Sequence, residues 1–262
     1  MSPIHESSAR RMLNKVPEVT LFFWIIKIMA TTVGETAADF LATTMKFGLI
    51  RTTYIMSGFL IVALLVQLSY KKYVPSIYWI AVVLISVVGT MITDTLVDKL
   101  GVSLTVTTVL FALALAAVFG AWYASEKTLS IHTIFTTKRE LFYWAAILFT
   151  FALGTAAGDL LAEGLALGYA RSALLFGGLI GAVTLGYLVF KVNAVLAFWI
   201  AYILTRPLGA SLGDLLSQPL AKGGMGLGTT VTSAIFLTTI LALVAYFTVT
   251  KSDTAKPVPV SA

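Results

Sequence analysis

The chain has no cysteine, only two histidines and few charges: Asp, Glu, Lys and Arg make up 11% of its 262 residues, against about a quarter in soluble domains. Without cysteine there are no disulfides, no thiolate nucleophile and no soft metal site of the Cys type. His5 and His132 fall in polar stretches outside the apolar runs. A buried zinc or copper site therefore has no ligands, and no Ser/His or Cys/His pair stands at membrane depth for hydrolysis. The net charge of +6 does not point to nucleic acid, because the basic residues lie at the ends of apolar segments, where membrane topology accounts for them. No cofactor is expected.

What fills the chain instead is apolar sequence, 58% of all residues, in runs of roughly 20 or more, enough to cross a bilayer as helices. Such runs exceed the apolar core of about 7 to 15 residues in a signal peptide, and residues 1–16 are polar, so no cleaved signal is expected. Apolar runs and polar breaks predict eight helices at 20–45, 52–70, 76–98, 103–124, 141–165, 172–190, 194–220 and 228–250. The bilayer is thus the first expected partner, and a homo-oligomer remains open.

One pattern recurs four times with identical intervals: a Trp, a Gly ten residues on, an Asp five further, and a Leu two beyond. The copies are Trp24/Gly34/Asp39/Leu41, Trp79/Gly89/Asp94/Leu96, Trp144/Gly154/Asp159/Leu161 and Trp199/Gly209/Asp214/Leu216. This is an internal repeat of one motif helix and one plainer helix. The aspartates are 55 apart within a pair and 120 apart between pairs, which reads as a hairpin duplicated and then duplicated again. The expected organisation is an N-terminal segment 1–19, a four-helix half 20–124, a linker 125–140, a second half 141–250 and a tail 251–262.

Two helices per repeat make all four motif helices cross in one direction. The expected fold is therefore an all-α integral membrane protein with four parallel two-helix repeats and pseudo-symmetry about the membrane normal. Outside the motif helices, eleven Lys and Arg fall on the side of the termini and five on the other, which predicts both termini in the cytoplasm.

The four aspartates sit at membrane depth, where an ionised side chain costs on the order of 2.5 to 3.5 kcal/mol. Taking the Trp rings as markers of the interface places each Asp about 22 Å along its helix, in the outer half of the bilayer. One turn before each Asp stand Glu35, Thr90, Thr155 and Ala210; one turn after stand Thr43, Asp98, Glu163 and Gln218. Only Lys27 and Arg206 offer counter-charge in these spans, with Glu35 two turns from Lys27 as one pairing. Carboxylates with Thr and Gln oxygens suit hard cations or protons. Asp39, Asp94, Asp159 and Asp214, with Glu35, Thr90 and Thr155, are the candidate cation or proton pathway, and the four aspartates the candidate metal ligands. Asp98, Glu163 and Gln218 are a candidate outer vestibule. Buried aspartates that merely hold repeats together are the competing reading. Pro207 after Arg206 removes a backbone donor in mid-helix, which leaves either a kink or a carbonyl free to meet a cation. Gly177 and Gly181 have the spacing of a helix-packing contact.

The fourfold spacing, with Thr32-Val33-Gly34-Glu35-Thr36-Ala37-Ala38-Asp39-Phe40-Leu41, resembles a family of bacterial membrane-anchored proteins built from short repeats of unknown function. The resemblance covers nearly the whole chain from Trp24 and implies a bacterial or archaeal inner-membrane protein; it supplies no functional residue. The expected function is a transporter or channel for a small hard cation, open to proton coupling. A membrane scaffold or complex subunit is the alternative. An enzyme is not expected: Asp94 and Asp98 have the spacing of membrane prenyltransferases that hold magnesium and diphosphate, but the second, Asn-bearing Asp motif of those enzymes is missing.

Overall fold

The computed structural model describes residues 14–250; the expected tail 251–262 and the first thirteen residues of the expected N-terminal segment, with Arg10, Arg11, Lys251 and Lys256, lie outside them. Eight helices follow in chain order, all long and apolar enough to cross a membrane. They are α1 (Leu21–Asp39), α2 (Leu49–Ser69), α3 (Pro75–Asp94), α4 (Leu104–Glu126), α5 (Thr137–Asp159), α6 (Tyr169–Phe190), α7 (Ala194–Ser217) and α8 (Gly228–Thr250). Among the described residues there is no strand. The chain is a multi-pass membrane protein.

The odd-numbered helices carry the motif and bury most of their length, while the even-numbered ones expose most of theirs. This follows from composition: α2, α4, α6 and α8 are mostly apolar, as suits a surface facing hydrocarbon, while the carboxylates within the helices, apart from Glu126 at the end of α4, stand on α1, α3, α5 and α7.

The four motif glycines fix how the inner helices meet. A Cβ on Gly34 would fall on the Ser86 side chain, one on Gly89 would lie 2.8 Å from Phe151 Cβ, one on Gly154 would strike Arg206, and one on Gly209 would fall on Thr31. Thr31, Ser86, Phe151 and Arg206 are themselves one repeat position, seven residues after each Trp. So α1 meets α3, α3 meets α5, α5 meets α7, and α7 returns to α1, each time with the same position against the same glycine. Neighbours that meet level for level run in one direction, and the four close into a ring. Small residues let the backbones come this close. The contacts are sealed by hydroxyls that cross between helices, Thr31 Oγ1 donating to the Thr205 carbonyl at 3.2 Å and Thr93 Oγ1 to the Ala152 carbonyl at 3.1 Å.

The outer helices do not stay with their own repeat. α2 packs chiefly on α3, α4 on α5, α6 on α7, and α8 reaches back to α1. α4 and α5 are in contact across the 125–140 connection, so the ring runs on between the two expected halves.

Three local features bear on the sequence expectation. The helices α1, α3 and α5 widen into single π turns immediately after the aspartate, at Phe40–Thr44, Thr95–Lys99 and Leu160–Gly164. The i+5 hydrogen bonds are Met45 N to Phe40 O at 2.8 Å, Leu100 N to Thr95 O at 3.1 Å and Leu165 N to Leu160 O at 2.8 Å. In α7 the helix stays α through Ser217, with Pro207 inside and no interruption. The broken helix that would present a free carbonyl to a cation is therefore absent there. Three of the four motif Trp side chains, Trp79, Trp144 and Trp199, are buried in the protein and do not form an interfacial belt; they pack on the aromatic ring of Phe23, Tyr78, Tyr143 and Phe198 at the residue before each Trp.

The glycine contacts predict a sharp contrast. Gly89→Ala places a Cβ against the Phe151 side chain and 3.2 Å from the Ala152 backbone, and should cost about 1–3 kcal/mol, the usual range for overpacking. Gly178→Ala meets nothing within 4 Å and should leave thermal unfolding of the detergent-solubilised protein unchanged or slightly raised.

Candidate functional site

Because the inner helices run in parallel and in register, residues spaced by four form layers across the ring axis, roughly 6 Å apart. The layer three residues after the Trp holds Lys27, Val82, Ile147 and Tyr202, all fully buried. Next come Thr31, Ser86, Phe151 and Arg206, again fully buried. The third layer is Glu35, Thr90, Thr155 and Ala210, none more than 6% exposed. The aspartates form the fourth. Through its first three layers the axis is a packed core.

Arg206 is the centre of that core. Its Nη2 donates to Glu35 Oε2 at 2.8 Å, to Thr155 Oγ1 at 2.6 Å and, in a short contact, to Thr90 Oγ1. Each acceptor comes from a different helix, α1, α3 and α5, so one guanidinium from α7 ties all four inner helices together. It fits because Gly154 leaves room: the Arg206 stem lies where a Cβ would stand. Three sequence-chosen residues, Glu35, Thr90 and Thr155, are thereby brought to one atom. The partner of Glu35 is Arg206 and not Lys27, the nearer base in sequence. Arg206 stands on another helix, 171 positions away.

Among the described residues Lys27 has no carboxylate partner. Its Nζ sits over the rings of Phe151 at 4.0 Å and Tyr202 at 4.2 Å and donates no hydrogen bond among the described residues. A cation in an aromatic cage is stabilised by the ring quadrupoles. With Arg206 one layer on and the Glu35 carboxylate in the layer after it, these three layers hold two basic side chains and one acidic one.

Beyond Glu35 the balance reverses. Asp39, Asp94, Asp159 and Asp214 follow one another around the ring, each within electrostatic reach of its neighbours. Asp214 is buried and the other three half-buried. Gln218 Nε2 donates to Asp39 Oδ2 at 3.4 Å. The two acids at the rim, Asp98 and Glu163, are exposed, and Glu163 Oε1 accepts from Tyr169 Oη at 2.8 Å. Thr43, Asp98 and Glu163 lie within the π turns of the first three repeats, so they do not simply continue the aspartate face by one α turn. Among the described residues no three carboxylates or imidazoles are gathered closely enough to hold a metal ion. The four aspartates would have to be drawn together to form one.

The layer of Thr31, Ser86, Phe151 and Arg206 escaped the sequence reading. Its members differ in size, polarity and charge, so no residue type repeats there; the available signal was the constant offset from the Trp. A Cβ on Gly177 or Gly181, by contrast, would meet nothing within 4 Å among the described residues, so neither glycine serves a close helix contact there.

Four consecutive segments, 22–73, 77–128, 142–193 and 197–253, match the family described as a Repeat of Unknown Function (DUF347). The chain belongs to this family. No curated protein and no solved structure matches it. The first three matches span 52 residues each and the fourth 57, and the structure shows where the additional residues go. In the first three repeats the chain returns after the motif helix to the carbonyl of the motif Leu, from Phe47, Val102 and Leu167. In the fourth the same carbonyl, that of Leu216, accepts from Leu227. The intervening Pro219–Gly224 stretch carries a short 3-10 turn at Leu220–Lys222, and the closing bond is preserved.

The buried ion pair generates a double-mutant prediction. Arg206→Met strands the Glu35 carboxylate and should destabilise the protein by about 3–5 kcal/mol. Arg206→Met combined with Glu35→Gln removes both charges and should recover a large part of that loss. Thermal unfolding of the two single variants and the double variant in detergent checks it.

Proposed function

We propose that the chain is a transporter of a bacterial or archaeal inner membrane that moves a small hard cation coupled to protons, and that it is not an enzyme. In this reading the ring axis lies along the membrane normal and both termini are cytoplasmic, as the excess of Lys and Arg on the Trp side argues. The observation that carries it is the ring of Asp39, Asp94, Asp159 and Asp214 beyond a single Arg206–Glu35 pair. The aspartates concentrate cations or protons at one mouth of the axis. Arg206, held by Glu35, Thr90 and Thr155, bars the way to Lys27 and the Trp side.

Two axial bases and three packed layers speak against a standing cation pore and for a carrier with a closed resting state. A proton arriving at Glu35 neutralises the partner of Arg206 and frees the guanidinium to move, which links proton entry to opening. Asp98, Glu163 and Gln218 serve as the vestibule. Spaced acids without a ready metal shell suit exchange of protons and weakly held cations better than tight metal binding.

The test is flux of sodium, potassium, magnesium, calcium and manganese into proteoliposomes, with and without a pH gradient. At least one cation should enter faster with the gradient, and Asp39→Asn, Asp159→Asn and Glu35→Gln should each slow it at least about tenfold, as expected when a carboxylate needed for the step is lost. Reporter fusions after Ala124 and after Thr250 should both report the cytoplasm. Absence of flux for every ion, or unchanged flux in all three variants, would leave the second reading. That reading is a membrane scaffold whose acids hold the ring together, and the solid packing of three axial layers favours it.

A further inference from the structure

The outer helices share a register that burial makes visible. Thr52, Thr107, Ser172 and Thr232 occupy one position near the start of α2, α4, α6 and α8, and all four are buried. Fifteen residues later stand Gln67, Trp122, Tyr187 and Phe247. Gln67, Trp122 and Phe247 are 1%, 0% and 2% exposed; Tyr187 is 45% exposed. Three of the four outer helices plug the seam behind them with this side chain. α6 does not.

The filled seam between α5 and α7 shows what is missing. There Phe119 and Trp122 of α4 reach Trp199, with ring centroids 4.9 and 5.9 Å apart. The counterpart of Phe119 in α6 is Thr184, and Tyr187 turns outward. Between α6, α7 and α1 a pocket of about 560 Å³ is left, within the range of about 300–1,000 Å³ usual for ligand sites. Trp24, whose three counterparts are buried, is half-buried and lines it.

The pocket is graded in polarity. Glu18, Ser130 and His132 stand at its Trp-side end, and its walls inward are Ile28, Ile180, Val183 and Phe198. The α7 wall runs from Ala194 to Thr205, about 16 Å at 1.5 Å per residue, close to half of a hydrocarbon core of about 30 Å. It is one leaflet deep. Glu18 has no ion pair among the described residues, so the polar end offers an uncompensated carboxylate beside an imidazole and a hydroxyl.

We propose that this seam holds one acyl chain of a phospholipid with a primary-amine headgroup, from the leaflet on the Trp side. The ammonium lies at Glu18, the phosphate toward His132 and Ser130, and the chain replaces the aromatic side chains that fill the corresponding seam beside α4. The site is independent of the ion pathway.

The test uses the full chain reconstituted with equal amounts of phosphatidylethanolamine and phosphatidylglycerol carrying identical acyl chains, then extracted in mild detergent and examined by native mass spectrometry. The intact protein should retain one phosphatidylethanolamine, several-fold above phosphatidylglycerol. Thr184→Phe with Tyr187→Trp rebuilds the α4 filling and should lose that lipid. Glu18→Gln leaves the slot open and should keep a bound lipid while abolishing the preference between the two headgroups, which decides the matter even if the filled variant fails to fold. The proposal is overturned if the intact protein retains no lipid or shows no preference, if the folded filled variant retains phosphatidylethanolamine as before, or if Glu18→Gln keeps the preference. A dimer that forms in place of lipid retention would assign the seam to a second copy and overturn it equally.

Discussion

Everything in the bundle depends on how near the four motif helices come to one another at their glycines. Because Gly34, Gly89, Gly154 and Gly209 admit the side chain of the neighbouring helix where a Cβ would stand, four parallel helices close into a ring with no central opening at those levels. Looser packing would leave a water-filled bore, and the buried hydroxyls of Thr31 and Thr93 could not bond to carbonyls across the seams. In a bilayer, where no hydrophobic drive separates helix from lipid, such close approach and hydroxyl bonding supply the association.

The repeats share a frame but not a charge. Arg206 occurs in one copy, Glu35 in another and Lys27 in the same copy as Glu35, so the backbone approximates fourfold repetition while the axial chemistry has none. A fourfold ring of arginines would repel itself; one arginine reaches acceptors on three different helices from a single nitrogen, while its Nε and Nη1 find no partner among the described residues. Duplication supplied the positions, and divergence at three successive layers supplied a unique, directional interior.

Much of this was legible in the sequence because the signals were periodic. Constant Trp, Gly and Asp intervals announced four repeats, apolar run length announced eight crossings, and the one-turn rule picked out Glu35, Thr90 and Thr155, which the structure brings to one guanidinium. Three things were not legible. The pairing of Glu35 with Arg206 rather than Lys27 depends on closure of α7 against α1, a contact across most of the chain. The π turns after Asp39, Asp94 and Asp159 arise where the helix end bends into its loop, and no residue pattern marks them. The burial of Trp79, Trp144 and Trp199 contradicts the usual interfacial placement because aromatic rings of the neighbouring inner helices, and for Trp199 also Phe119 and Trp122 of α4, pack against them.

The forward hand-off of the outer helices has a consequence for biosynthesis. Each of α2, α4 and α6 finds its main partner in the helix made immediately after it, so packing can follow the order in which the chain emerges. α1 is the exception: its outer cover is α8, and Phe247 near the end of α8 packs edge-on against Phe22 at 5.6 Å. Of the eight helices α1 is made first, and it must therefore wait, with its polar face unsealed, until α8 arrives. For that interval the nascent chain is an open arc, and insertion of the final helix converts it into a closed circle.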